Sequence, residues 1–183
     1  MKLTDNEIIV LMSQSQTSEK GLRAMMDIYQ SRLYWHIRRL IVQHDVAQDV
    51  LQDTFIKAYQ NFAQFKNDSK LYTWLYRIAT NEALQQLAKM KKMQKADEDA
   101  EQQLQKLVAD NVEHDAEEIQ ILLQKAIQKL PEKQKLVFNI RYYDELPFEE
   151  ISKILDMSVS TCKTNYHYAK EKIENYIKEN HEL

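Results

Sequence analysis

PFEEISKILDMSVSTCKTNYHYAKEKIENYIK occupies Pro147 to Lys178 and divides into two apolar-periodic runs. Phe148, Ile151, Ile154 and Leu155 form the first. Val159, Cys162, Tyr166, Ala169, Ile173 and Ile177 form the second. A recurrence of three or four residues is one face of a helix. Pro147 suits a first helical turn, where the missing N–H costs nothing, and Glu149 and Glu150 favour the positive end of a helix dipole. Ser158 is placed to cap the second helix. Asp156 and Met157 fill the turn between them, and Asp tolerates a left-handed backbone better than most residues. A short helix, a tight turn and a longer helix make a helix-turn-helix pattern, whose second helix normally enters the DNA major groove.

The outward residues of that second helix are Ser160, Thr161, Lys163, Thr164, Asn165, His167, Tyr168 and Lys170. Hydroxyls, amides and cations at a helix N-terminal end are what base edges and phosphates require. A helical hairpin with an ordinary solvated face would show the same spacing, so the rest of the chain has to decide.

The chain has 183 residues with one Gly and two Pro, which leaves few tight turns and predicts long helices. There is no apolar run of about 18 residues, so no membrane span is expected. The acidic, Thr/Asp-led start does not read as a signal peptide. A single cysteine allows no internal disulfide and suits a reducing, cytoplasmic setting. Net charge is +3 over residues 1–91, −5 over 92–127 and −1 over 128–183. A stand-alone nucleic-acid binder is usually basic. DNA binding by this acidic chain therefore calls for a partner.

Thr4 and Glu7 form a capping box for a first helix carrying Ile8, Leu11 and Met12. A second carries Leu22, Met25, Met26, Tyr29, Leu33, Ile37, Leu40 and Ile41 on one side. A third carries Val46, Val50, Leu51, Phe55, Ala58, Tyr59 and Phe62, with Asp45, Asp49, Gln52 and Asp53 on its outer side. The apolar sets read as core. The polar break Phe65–Lys70 precedes Leu71–Asn81, with Ser69 as the expected N-cap. Aromatics interleaved with Lys70, Arg77 and Asn81 suit single-stranded nucleic acid, since rings stack on bases and cations follow the backbone. Read by itself, the same segment also fits Trp74 and Tyr76 as core residues with satisfied polar tips. Residues 92–118 lose all aromatics and take a charge-rich linker composition, partly compatible with helix. Helical periodicity resumes at Ile119–Leu130 and again after Pro131. The expected organisation is all-α: a helical domain over 1–91, an acidic linker over 92–118, and a helix-turn-helix domain over 119–183.

Taken together, these motifs resemble the extracytoplasmic-function sigma factors, the two-domain class of bacterial RNA polymerase initiation factors. DVAQDVLQDTFIKAYQNFAQF (Asp45–Phe65) is similar to the family's region 2.2, and NDSKLYTWLYRIATNEA (Asn67–Ala83) to its region 2.3. LPEKQKLVFNIRYYDELPFEEISKILDMSVSTCKTNYHYAKEKI (Leu130–Ile173) is similar to region 4. The resemblance implies that Asp49, Gln52, Asp53 and Phe55 dock on the clamp of core RNA polymerase, where carboxylates meet arginines. It implies that Asn67, Asp68, Ser69 and Lys70 capture a flipped base at the minus-ten promoter element, and that Tyr72, Trp74, Arg77 and Asn81 support the opened duplex. Ser160, Thr161, Lys163, Thr164, Asn165, His167, Tyr168 and Lys170 fall on the helix that reads the minus-thirty-five element. The linker matches a segment that threads the polymerase cleft, and a separate anti-sigma factor is the expected regulator. Asn165 and Tyr168 stand where the family often has basic residues, Cys162 where valine is usual, and Asp156 where glycine is common.

No catalytic constellation accompanies these motifs. The five histidines lie on different segments without metal-ligand spacing to Cys162, and no Gly-rich phosphate loop is present. No cofactor or metal site is expected, and the polymerase would supply the bond-making chemistry. Cys162 reads as a small hydrophobe on the apolar face. Two rival classes use the same motifs otherwise: a helix-turn-helix regulator acting without polymerase, and a helical adaptor that binds polymerase without promoter preference.

Overall fold

A computed structural model describes residues 3–93, 100–109 and 117–180. All regular structure among them is helical: α1 Asp5–Met12, α2 Ser18–Leu40, α3 His44–Gln60, α4 Leu71–Met93, α5 Ala100–Ala109, α6 Glu117–Gln128, α7 Glu132–Tyr142, α8 Phe148–Leu155 and α9 Val159–Asn180, with a short 3-10 turn at Phe62–Gln64. None of the described helices is long and apolar enough to cross a membrane. The chain divides into two compact units, Met1–Lys92 and Met93–Leu183.

In the first unit the capping box forms as read: the Thr4 hydroxyl accepts from the Glu7 amide, and the Glu7 carboxylate accepts from the Thr4 amide. Those bonds hold the Glu7 carboxyl below its ordinary value. Helix α1 lies against α2, and the Tyr29 hydroxyl ties the two by donating to Asp5 Oδ1 at 2.6 Å. Burial, and then that bond, push the Tyr29 hydroxyl above its usual range. Gly21 lets α2 pass close to the end of α1, since a Cβ there would stand 2.8 Å from Met12 Cγ and 2.9 Å from the Met12 amide nitrogen. The core between α2 and α4 is closed by Met25, Leu33, Ile37, Leu71, Leu75, Tyr76 and Ala79, all fully buried. A polar link crosses it: His36 Nε2 lies 2.8 Å from Thr80 Oγ1, and that hydroxyl donates to the Tyr76 carbonyl.

In the second unit Ala126, Ile127, Leu130, Phe138, Ala169 and Ile173 form one buried cluster joining α6, α7 and α9. Helix α5 falls within the stretch read as linker. Its Leu107 and Val108 are buried, and it packs on α6. The dense charge of 92–118 masked this apolar pair, although Leu104, Leu107 and Val108 stand at the three- and four-residue spacing of one helical face. The rest of that stretch, residues 94–99 and 110–116, lies outside the described residues.

The helix-turn-helix has the expected local chemistry. Asp156 is left-handed, at φ 52° and ψ 52°, and ends α8. The Ser152 hydroxyl donates to the Met157 carbonyl at 2.6 Å and holds the turn. Ser158 Oγ accepts from the Thr161 amide at 3.0 Å, so it caps α9 as read. Pro147 stands one residue earlier than a first-turn proline, at the N-cap position itself. Cys162 is fully buried, and burial pushes its thiol up, away from the reactive thiolate.

Candidate nucleic-acid interface

Helix α9 presents Ser160, Thr161, Lys163, Thr164, His167, Tyr168 and Lys170 to solvent, while Asn165 is half-buried. Two of these already serve the helix. Thr161 Oγ1 lies 2.7 Å from Ser158 Oγ, and the Asn165 amide donates to the Thr161 carbonyl at 2.9 Å. Ser160, Thr161, Lys163, Thr164 and His167 are exposed polar side chains on the N-terminal part of this surface. The helix is held from behind by rings: Tyr166 stacks on Phe138 at 5.8 Å and meets Phe148 edge-on at 5.7 Å. Arg141 lies 5.2 Å from the Phe148 centroid and donates to the Leu146 carbonyl, which fixes the approach to α8. Lys170 lies 5.9 Å from the Tyr166 centroid.

In the first unit, Asn67 takes the left-handed conformation at φ 54°, which opens the loop before α4. Asn67, Asp68 and Lys70 are exposed and Ser69 is half-buried. Ser69 was the expected cap. The Lys70 carbonyl instead accepts the first α4 bond, from the Trp74 amide, so Lys70 holds the cap position. Trp74 is half-buried, with its ring 5.9 Å from Phe62 and 5.2 Å from Phe65. It is therefore a support of the loop as well as a candidate contact. Spacings of three and four place Trp74, Arg77 and Asn81 on one face of α4. Tyr72 is on roughly the opposite face. It meets Lys70 at 5.5 Å and Arg32 of α2 at 5.7 Å. The structure thus separates Tyr72 from the three residues with which it was grouped. Tyr76, the alternative core residue, is fully buried.

Helix α3 carries Asp49, Gln52 and Asp53 on its exposed side. Phe55 departs from the expectation of a docking contact: it is 4% exposed and belongs to the core. Its ring forms part of the wall of an apolar groove of about 300 Å3, lined by Leu22, Met26, Gln52, Phe55, Ile56, Tyr59 and Gln60. Ile56 is 52% exposed on the same side as Asp49 and Asp53. Tyr59, read as core, is 39% exposed, with its hydroxyl 3.0 Å from Ser18 Oγ. Sequence reading missed Ile56. An isoleucine on an otherwise acidic outer face was the available signal.

Residues 25–93 match the family model for Sigma-70 region 2, and residues 120–173 match that for Sigma-70, region 4. The chain is 34% identical to the ECF RNA polymerase sigma factor SigW of Bacillus subtilis over 164 residues, covering 85% of this chain and 88% of the relative. It is 31% identical to the ECF RNA polymerase sigma-E factor of Haemophilus influenzae, covering 96% of each. The fold is similar to that of CnrH, solved in complex with the cytosolic domain of CnrY, with a TM-score of 0.72, 17% identity and coverage of 97% of this chain and 99% of the other. It is also similar to the sigma factor RpoE of Bartonella quintana, solved with the anti-sigma factor NepR, with a TM-score of 0.65, 20% identity and coverage of 88% and 99%. The chain belongs to the extracytoplasmic-function sigma factors of the sigma-70 family.

Proposed function

We propose that this chain directs core RNA polymerase to promoters, where its two units read and open the DNA. The observation that carries this is full-length likeness to relatives named RNA polymerase sigma factors, joined to two separate exposed surfaces suited to DNA. Lys163, Thr164 and their neighbours on α9 face outward as a major-groove reader must. The Asn67–Lys70 loop and the Trp74, Arg77 and Asn81 face have the aromatic and cationic composition that unpaired strand requires. Asp49, Gln52 and Asp53, with Ile56 beside an apolar groove, form the polymerase-docking side. Residues 1–91 act as the unit for docking and the minus-ten element, 119–183 as the unit for the minus-thirty-five element, and 92–118 as the segment between them.

The work is done by binding energy alone, and the polymerase carries out all bond formation. Unstacking a base costs a few kcal/mol, and stacking it in a protein site returns about 1–3 kcal/mol. Capture therefore offsets much of the local cost of opening. The chain acts in the cytoplasm with its polymerase, and a separate anti-sigma protein covers its binding surfaces under non-activating conditions. The RpoE and CnrH complexes support that partner. Native co-purification without activation tests it; recovery of only free or polymerase-bound chain counts against it.

Run-off transcription with core polymerase tests the main reading. Promoter-specific transcripts are expected only with chain and core together, and weak duplex binding by the chain alone. Tight sequence-specific binding without polymerase at physiological salt would refute it.

A further inference from the structure

Tyr72 faces α2 instead of the Trp74–Arg77–Asn81 side, and two cations share its ring. Lys70 reaches it from the loop at 5.5 Å, and Arg32 reaches it from α2 at 5.7 Å. Arg32 also lies 5.7 Å from the centroid of Tyr76, a fully buried ring that cannot move with the surface. One turn earlier on α2, the Tyr29 hydroxyl is bonded to Asp5, which holds that segment of the helix to α1. The guanidinium is thus placed by two rings on a braced helix, while its residue stays exposed. Asp68 is the single carboxylate among residues 66–70, against Lys66 and Lys70, so the adjoining loop is itself net positive.

We propose that Arg32 is a further strand-binding residue, which with Lys70 holds the phosphodiester backbone of the unpaired strand beside the Tyr72 ring. This rests on the promoter-opening reading above and extends the strand surface from the Asn67–Lys70 loop onto α2. A guanidinium offers paired N–H donors matched to phosphate oxygens, and placement by the rings reduces the ordering lost on binding. Such a contact reads no base. It adds affinity that is independent of sequence and sensitive to salt.

The test is equilibrium binding of reconstituted holoenzyme to a promoter template with a pre-melted minus-ten segment, measured across a salt series. Parent, Arg32→Lys, Arg32→Gln and Arg32→Ala are compared after circular dichroism shows each to be folded. Loss of one phosphate contact on a single strand makes the slope of log K against log salt shallower by about 0.7. Arg32→Ala and Arg32→Gln should show that change, together with an affinity loss of about tenfold. Arg32→Lys should keep the parent slope, because it keeps the charge. An unchanged slope for the Ala and Gln variants overturns the proposal, whether or not affinity falls. A fall without a slope change would mean that Arg32 merely orients Tyr72. Failure of the parent holoenzyme to bind the pre-melted template would instead overturn the promoter-opening reading, and this inference with it.

Discussion

If the outer side of α3 docks on polymerase, Ile56 and Phe55 must respond in opposite ways to truncation. Phe55 is 4% exposed, so Phe55→Ala should cost about 3–5 kcal/mol of fold stability, the usual loss for a buried Phe. Domains are stable by only about 5–15 kcal/mol, so this loss removes a large share of that stability and a docking defect in this variant is confounded with the fold. Ile56 is 52% exposed, so much of its side chain is already in water and its removal should leave the fold nearly intact. Full burial of an Ile side chain contributes about 1.5–3 kcal/mol. Covering the exposed half on docking is then worth about 1 kcal/mol, or roughly fivefold in affinity. Ile56→Ala should therefore weaken binding to core polymerase about fivefold with an unchanged thermal midpoint. Asp53→Arg, also exposed, should weaken it further by placing a cation where the partner supplies arginines. Fluorescence anisotropy of labelled chain titrated with core polymerase measures both, and circular dichroism checks the fold. Parent-like affinity for both folded variants would refute docking through this side of α3.

Trp74→Ala and substitution of Asn67–Lys70 should impair promoter opening more than closed-complex binding, and a pre-melted template should restore much of the loop variant's activity; permanganate reactivity of unpaired thymines reads this directly. Trp74 contacts Phe62 and Phe65, so its variant must first pass a folding check. Lys163→Ala should relax preference at one or two minus-thirty-five positions by about 1–3 kcal/mol in binding-site selection by holoenzyme, and an unchanged preference would remove Lys163 from base reading. Gly21→Ala should lower stability: the new Cβ meets the Met12 backbone nitrogen at 2.9 Å, a group that cannot turn aside. Overpacking costs about 1–3 kcal/mol against about 1 kcal/mol gained in helix propensity, so thermal melting should move down by several degrees. Tyr29 titrates above its ordinary 10.0, so the stability tied to its protonated form is complete below pH 10 and is lost as pH rises beyond that value. Tyr29→Phe should make the alkaline decline of the melting temperature shallower, and an identical decline would refute the assignment.

Local chemistry was legible in the residues wherever one helical turn contains all the partners. Thr4 and Glu7 cap α1, Ser158 caps α9, and Asp156 takes the left-handed turn, because each involves groups within four positions of one another. The apolar period of Cys162, Ala169 and Ile173 likewise marked the buried side of α9. Contacts between helices are a different matter, since periodicity gives a face and not the neighbour it meets. Phe55 and Tyr59 both read as core and both line the groove, and only the packing of α2 on α3 decided that Phe55 is buried while Tyr59 stays exposed. Leu107 and Val108 were hidden by surrounding charge until α6 provided a surface to bury them. Arg32 and Tyr72 lie 40 positions apart. Their meeting depends on how α2 crosses the start of α4, a geometry set by the whole core between them and written in no short stretch of the chain.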